Sequence, residues 1–248
     1  MNRLDVWTAH KNAWSTAFKS LDILLPVCLL TGGVGLLVSF LVGNAIAEQI
    51  LGGMEVAAAS RNQADMLVHA LAETAVAVLW AGPFGAMGAG VAIYLWVMKE
   101  RGQAPSFYDG LNYSLNRLGR VVGPHWRAFA LIALGNIVVI GAVIWGLQFA
   151  FVDAIAVLDD REANPLARSR RLTQNRRRTL FIAFLPFLLW WLPFQLALTF
   201  WAGGAEWYVQ LAAGTFDAFT LAVIDLIMVQ FYLDLFKQRA AAAPTPAG

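Results

Sequence analysis

Five long apolar stretches, at residues 21–47, 66–98, 128–158, 179–201 and 208–236, alternate with shorter polar links along this 248-residue chain. A helix needs roughly 20 mostly apolar residues to cross the hydrocarbon core of a bilayer, and every one of these stretches is longer than that. The first contains Thr31-Gly32-Gly33-Val34-Gly35, small residues at which another helix can approach closely. The second is interrupted by Gly82-Pro83-Phe84-Gly85, where the missing proline N–H predicts one kinked, tilted helix. The stretch at 179–201 carries Pro186 and Pro193, which predict a bend. Residues 128–158 are too long for one perpendicular crossing and short for two.

The links have patterns of their own. In residues 3–20, Trp7, Trp14, Phe18 and Leu21 fall within about 60° of one another on a helix, with Arg3, Lys11 and Lys19 available to headgroups. This segment reads either as a helix lying on the membrane or as the packed start of the first span. Residues 106–122 read as an amphipathic helix, capped by Ser106 with Asp109 three residues on. Phe107, Leu111, Leu115, Leu118 and Val122 share one face, and Asp109, Asn112, Asn116 and Arg120 the other. Residues 161–178 hold seven arginines in eighteen residues and open with Asn164-Pro165, a cap followed by proline in the first turn. Their arginines point all round the helix, which leaves no apolar face and predicts a seat among phosphate headgroups or against acidic protein.

Charge then sets the expected topology. The chain is 59% hydrophobic and 14% charged, outside the range of ordinary soluble domains, while its net charge of +2 says little. The basic residues number three before the first span, five in 99–127, seven in 159–178 and two after the last span, against one in 48–65 and none in 202–207. Basic links stay on the cytoplasmic side, so residues 128–158 should go out and return, as two short tilted spans or a re-entrant hairpin with its tip near Gly141–Gly146. The expected fold is all-α: a polytopic integral membrane helix bundle of about six spans, or five if 128–158 is one long helix, with interfacial amphipathic helices. It forms a single transmembrane domain over residues 1–236, followed by a disordered cytoplasmic tail at 237–248. No secretory signal peptide is expected, because residues 1–20 carry scattered charge. Trp201, Trp207 and Tyr208 flank the base-free turn at Gly203–Glu206, as an outer aromatic belt would. Cys28 is the one cysteine, so no intramolecular disulfide forms. The chain also reads as three loose units, each a surface helix followed by an out-and-back pair.

Arg168-Ser169-Arg170-Arg171-Leu172-Thr173, before a span that begins near Leu180, resembles a small basic helix of a group of bacterial six-span proteins. The group includes the membrane domain attached to some glycerophosphodiester phosphodiesterases and the YciC-like inner-membrane proteins. The ending Phe231-Tyr232-Leu233-Asp234-Leu235 is similar to that group's final-span ending, and the helix at 106–122 sits where the group places one. The 128–158 region departs from the pattern in being shorter than the group's paired spans and in lacking a Pro-Gly turn. The resemblance implies a multi-pass protein of the bacterial inner membrane, sometimes tied to the envelope or to lipid. No phosphodiesterase catalytic domain is present in the sequence, so that activity does not carry over.

Candidate chemistry is sparse. Asp217 and Asp225 lie in the last apolar stretch and Asp153 in the ambiguous one. An ionisable group inside a membrane costs about 2.5–3.5 kcal/mol on insertion scales, so it needs a partner, such as Asn136, Gln195 or a backbone group, or a cavity. These three aspartates are the candidate transport path. Asp65, His69 and Glu73 are four apart along one helix face and form a candidate divalent-metal or proton-relay set. Arg168, Arg170, Arg171, Arg176, Arg177 and Arg178 are the candidate contacts to anionic lipid headgroups. No Walker loop, paired-cysteine motif or catalytic triad order is present, so no enzyme activity and no cofactor are expected. The expected partners are membrane lipids and other membrane subunits or a second copy, not nucleic acid. Three readings follow: a scaffold or accessory subunit, favoured on sequence; a transporter or channel for a small polar solute or lipid; and a metal-dependent enzyme acting on lipid.

Overall fold

The computed structural model describes residues 5–52, 61–135, 139–201 and 207–242, and among these it contains helices and no strands. Helix α1 is Val6–Lys19. Helix α2 runs through Leu21–Cys28, a π-helical turn Leu29–Gly33 and Val34–Gly52. Helix α3 runs through Arg61–Trp80, a second π-helical turn Ala81–Gly85 and Ala86–Glu100. Then come α4 (Phe107–Leu115), α5 (Leu118–Gly135), α6 (Val139–Phe149) and α7 (Val152–Leu158). The chain ends with α8 (Pro165–Thr173), α9 (Arg177–Trp201) and α10 (Trp207–Ala242). Among the described residues, four segments are long and apolar enough to cross a membrane: Leu21–Gly52, Leu67–Glu100, Gly141–Leu158 and Trp207–Phe236.

The core lies where helices are apolar all round. Leu226, Ile227, Met228 and Val229 of α10 are consecutive and all buried, as are Val91 to Trp96 of α3 and Ala154 to Val157 of α7. A helical stretch buried on every side belongs at the centre, and α10 accordingly packs against α1, α2, α3 and α7. Residues 237–242, expected in a disordered tail, continue α10 to Ala242, and residues 243–248 lie outside the described set.

Each of the three surface helices precedes a longer pair, and each is seated in a way that hydropathy does not encode. Helix α1 buries Ala9, Ala13 and Ala17 and leaves Trp7 80% and Phe18 58% exposed. Helix α4 buries Gly110 and Ser114 while Leu115 of its apolar face is exposed. Helix α8 buries Pro165, Ser169 and Thr173, so the arginine-rich segment does have a packing face. The spacing of four puts each small set on one stripe, and small residues let the two backbones come close enough for hydrogen bonding. One side chain from each helix then reaches a bundle carbonyl. His10 Nε2 donates to Ala183 O at 2.9 Å, Ser114 Oγ to Met87 O at 2.8 Å and Ser169 Oγ to Gln148 O at 2.8 Å.

The expected caps are present. Ser106 Oγ accepts from the Asp109 N–H at 3.1 Å and donates to the Asp109 carboxylate, and Asn164 Oδ1 accepts from the Ala167 N–H at 3.1 Å. The helix expected over 106–122, however, stops at Leu115 and restarts at Leu118. Ser114 draws α4 onto α3, and Arg117 closes its end by donating to Tyr113 O and to Val157 O of α7. The residues after the break belong to the next element. Helix α5 therefore begins ten residues before the apolar stretch it was expected to start with, which resolves the length of that region.

Residues 118–158 are a hairpin. Helix α5 packs along α6 and α7, and a β-carbon on Gly135 would lie 2.5 Å from the Ala142 nitrogen. The connection falls at 136–138, outside the described residues along with Asn136. The tip expected at Gly141–Gly146 is instead helical, inside α6. Gly135 and Gly141 serve the close meeting of the two limbs.

The kink expected at Gly82-Pro83 takes the form of a π-helical turn, a widening that spares the chain a break. Pro83 offers no N–H to the carbonyls one turn back, and Trp126 Nε1 of α5 donates to Val78 O there at 2.9 Å. The π-helical turn of α2 is served alike, by Trp80 Nε1 on Thr31 O at 3.0 Å. Trp126→Phe removes one such donor and should lower stability by about 0.5–1.5 kcal/mol. Thermal unfolding in detergent measures this, and an unchanged midpoint would show that Val78 O finds another donor.

Candidate functional site

A cavity of about 340 Å³ lies at the centre of the bundle, walled by α2, α3, α5, α7 and α10, with Phe149 of α6 at its edge. Its wall is mainly apolar, with Leu24, Val27, Leu36, Phe129 and Ile132 among its members. Both π-helical turns contribute to it, through Thr31 and Gly32 from α2 and Ala81 and Gly85 from α3. Such turns widen a helix locally, and here both face the cavity.

Four ionisable groups interrupt the apolar wall: Asp153, Asp217, Asp225 and His125. Asp217 and Asp225 are carried by α10 and line the same cavity despite their separation of two turns. Asp153 stands in the first turn of α7, where the exposed N–H groups of a helix start favour a negative charge. His125 follows Pro124 in α5. Its Nδ1 donates to the Asp153 carboxylate, 2.9 Å from one oxygen and 3.0 Å from the other. The pair is largely withdrawn from solvent, with side chains 16% and 22% exposed.

The imidazole is seated by Gly85, where a β-carbon would lie 2.6 Å from His125 Nε2. Gly82 does the same for the neighbouring Trp126 indole, at 3.1 Å. The Gly-Pro-Phe-Gly interruption of α3 thus positions two consecutive side chains of α5. Asp225 lies within electrostatic reach of both Asp153 and His125 and has no hydrogen-bond partner among the described residues. Asp217, by contrast, is held by an interaction of its own.

Comparison with protein-family models, curated proteins and solved structures finds no match. The resemblance to six-span inner-membrane proteins rests on the motifs quoted for it, and the site is read from its own geometry.

The three aspartates expected on a path do meet at one cavity, and Gln195, suggested as a partner, lies where side chains are outside the described set. His125 was not foreseen. It falls in what reads as a charged link, yet Val121 is buried and the apolar run resumes at Ala128, a signal that the helix extends back through the histidine. Asp65, His69 and Glu73 do not assemble. His69 Nδ1 donates to the Asp65 backbone carbonyl at 2.8 Å, the backbone and Cγ of Glu73 pack against Gly43, and no group of three His, Cys, Asp or Glu among the described residues converges on a metal position. Spacing of four aligns side chains along one helix face, which by itself does not bring three ligand atoms to one point.

The six candidate headgroup arginines divide. Arg168 pairs with Asp159 and Glu162, the latter at 3.1 Å, and so is used inside the protein. The Asn164 N–H and Arg168 together hold the Glu162 carboxyl below its usual range. Arg176 Nη1 donates to Leu172 O of its own segment. Arg170 stands over the Phe149 ring at 5.1 Å, and Arg170, Arg171, Arg177 and Arg178 remain exposed. Outside that segment, Arg120 pairs with Asp160 and donates to Asp159 O at 2.8 Å, placing a cation at the C-terminal end of α7.

Proposed function

We propose that this chain is a non-enzymatic, multi-pass protein of the bacterial cytoplasmic membrane that binds and moves a small polar solute through the central cavity. The observation that carries the reading is the convergence of Asp153, Asp217 and Asp225 with His125 on one cavity within an apolar bundle. Carboxylates are costly in such surroundings and are retained there when a pathway or ligand uses them. The cavity's volume falls within the range of small-molecule sites, and an apolar wall with a few convergent polar groups is the usual form of such a site. In this reading α2, α3, the two limbs of the 118–158 hairpin, α9 and α10 make six crossings with both termini in the cytoplasm. The exposed Arg170, Arg171, Arg177 and Arg178 face anionic headgroups at the cytoplasmic side.

A moving solute requires the cavity to be reached from both faces of the membrane in turn. Thr31 lines the cavity, so a Thr31→Cys variant in a Cys28→Ala background reports that access. Impermeant cationic methanethiosulfonates should modify it when added to either side of sealed, oriented vesicles. Labelling from one side alone would leave a binding protein without transport. Labelling from neither would return the weight to a scaffold or accessory subunit.

A further inference from the structure

We infer that the cavity takes an organic cation, one positive charge on an apolar body, with the charge at Asp225 and the body against the aromatic wall. This rests on the proposed function and names the class of solute. The sign follows from the lining. Three carboxylates and one imidazole are the charged or chargeable polar groups of the wall besides the Cys28 thiol, and among the described residues no lysine or arginine lines it. Asp153 has His125 as its partner, which leaves Asp225 as the carboxylate without a hydrogen bond among the described residues, facing the cavity. A charge in that position is stabilised by a counter-charge or is neutralised by a proton.

The kind of cation follows from the rest of the wall. A metal ion needs several ligand atoms converging at short range, and no group of three suitable side chains among the described residues provides them. The wall instead offers aliphatic surface together with Trp80 and Phe129, the surroundings that favour an ammonium group with apolar substituents. Such a cation and a proton compete for Asp225. The titratable groups that face the same space are Asp153 from α7, His125 from α5, Cys28 from α2 and Asp217 on α10 itself.

The test uses purified full-length protein in mild detergent and radiolabelled benzyltrimethylammonium as the probe. Saturable binding is expected, displaced by unlabelled probe at least tenfold better than by its neutral isostere 2,2-dimethylpropylbenzene, and not displaced by magnesium or by benzenesulfonate. Binding should weaken at least tenfold in Asp225→Asn, persist in Asp225→Glu, stay unchanged in Glu48→Gln and weaken as the pH is lowered. Absence of saturable binding, equal displacement by the neutral isostere, or full binding by a folded Asp225→Asn would each overturn the cation assignment. Should Asp225→Asn fail to fold, the displacement series on the unaltered protein decides alone. Failure here with two-sided labelling at position 31 would reject the cation and leave transport standing. Cation binding with one-sided labelling would do the reverse.

Discussion

Gly32→Ala is expected to unfold at a clearly lower temperature than the unaltered protein, and Gly32→Val to fail to assemble. A β-carbon at Gly32 would lie 2.0 Å from Gly214 O and 2.5 Å from the Ala218 β-carbon. The approach is mutual, since a β-carbon at Gly214 would lie 2.3 Å from Gly32 O. Both obstacles are backbone or the first atom of a side chain, so neither can swing aside, and α2 and α10 must separate. Overpacking of a fitted contact costs typically about 1–3 kcal/mol and occasionally more, and this contact belongs at the upper end. In a chain of this size about 3 kcal/mol corresponds to a fall of roughly 6–12 °C in the unfolding midpoint. Gly146→Ala supplies the control, because nothing lies within 4 Å of its β-carbon position. It sits inside α6, where alanine is favoured over glycine by about 1 kcal/mol, so it should be neutral or stabilising. Equal midpoints for the Gly32 and Gly146 variants would show that α2 and α10 do not meet at these glycines.

Ser169→Ala carries the second large effect. Ser169 is fully buried, and its one hydroxyl closes the gap between α6 and α7. It donates to Gln148 O at 2.8 Å and accepts from the Phe151 N–H at 3.2 Å. Alanine leaves the shape almost unchanged and removes both bonds. Thr173 Oγ1 lies 3.5 Å from Gln148 O and can serve that carbonyl in part, but nothing replaces the acceptor for Phe151. Each unsatisfied buried group costs about 1–3 kcal/mol, which gives roughly 2–5 kcal/mol for the pair. The consequence reaches the site, because Asp153 stands two residues beyond Phe151 and α7 positions it. Ser169→Ala should therefore lower the midpoint and weaken probe binding at the cavity together, whereas Ser169→Thr should restore part of both. A lowered midpoint with unchanged probe binding would show that the Ser169 contacts between α6 and α7 do not position the site.

The same residue shows how function-bearing detail hides in a charged motif. In Arg168-Ser169-Arg170-Arg171-Leu172-Thr173 the arginines draw attention, yet Ser169, Leu172 and Thr173 make the packing face. Arg168 is spent on Asp159 and Glu162, and Arg170, Arg171, Arg177 and Arg178 are the ones left exposed. The cavity gives a parallel case. Asp153, Asp217 and Asp225 stand out in sequence because charge inside an apolar run is expensive. His125 sits beside charged residues in the chain and attracts no such notice, although it meets Asp153 across 28 residues.

What the sequence determined by itself is the class and the punctuation. Long apolar runs dictate membrane-crossing helices, since a chain in lipid must satisfy its own backbone groups. Ser106 and Asn164 mark helix starts through local hydrogen bonds, and the cost of a carboxylate singles out Asp225. What only the tertiary structure decided is which surfaces meet. A lipid tail is as apolar as a leucine, so in a membrane the hydrophobic pattern does not separate the packed face of a helix from the lipid face. Size and hydrogen bonding separate them instead. That is why Ala9, Ala13 and Ala17, Gly110 and Ser114, and Ser169 and Thr173 turn inward while Trp7, Phe18 and Leu115 turn out. It is also why the glycines of α2, α3 and α10 decide how near the helices come, and with that the width of the cavity at their centre.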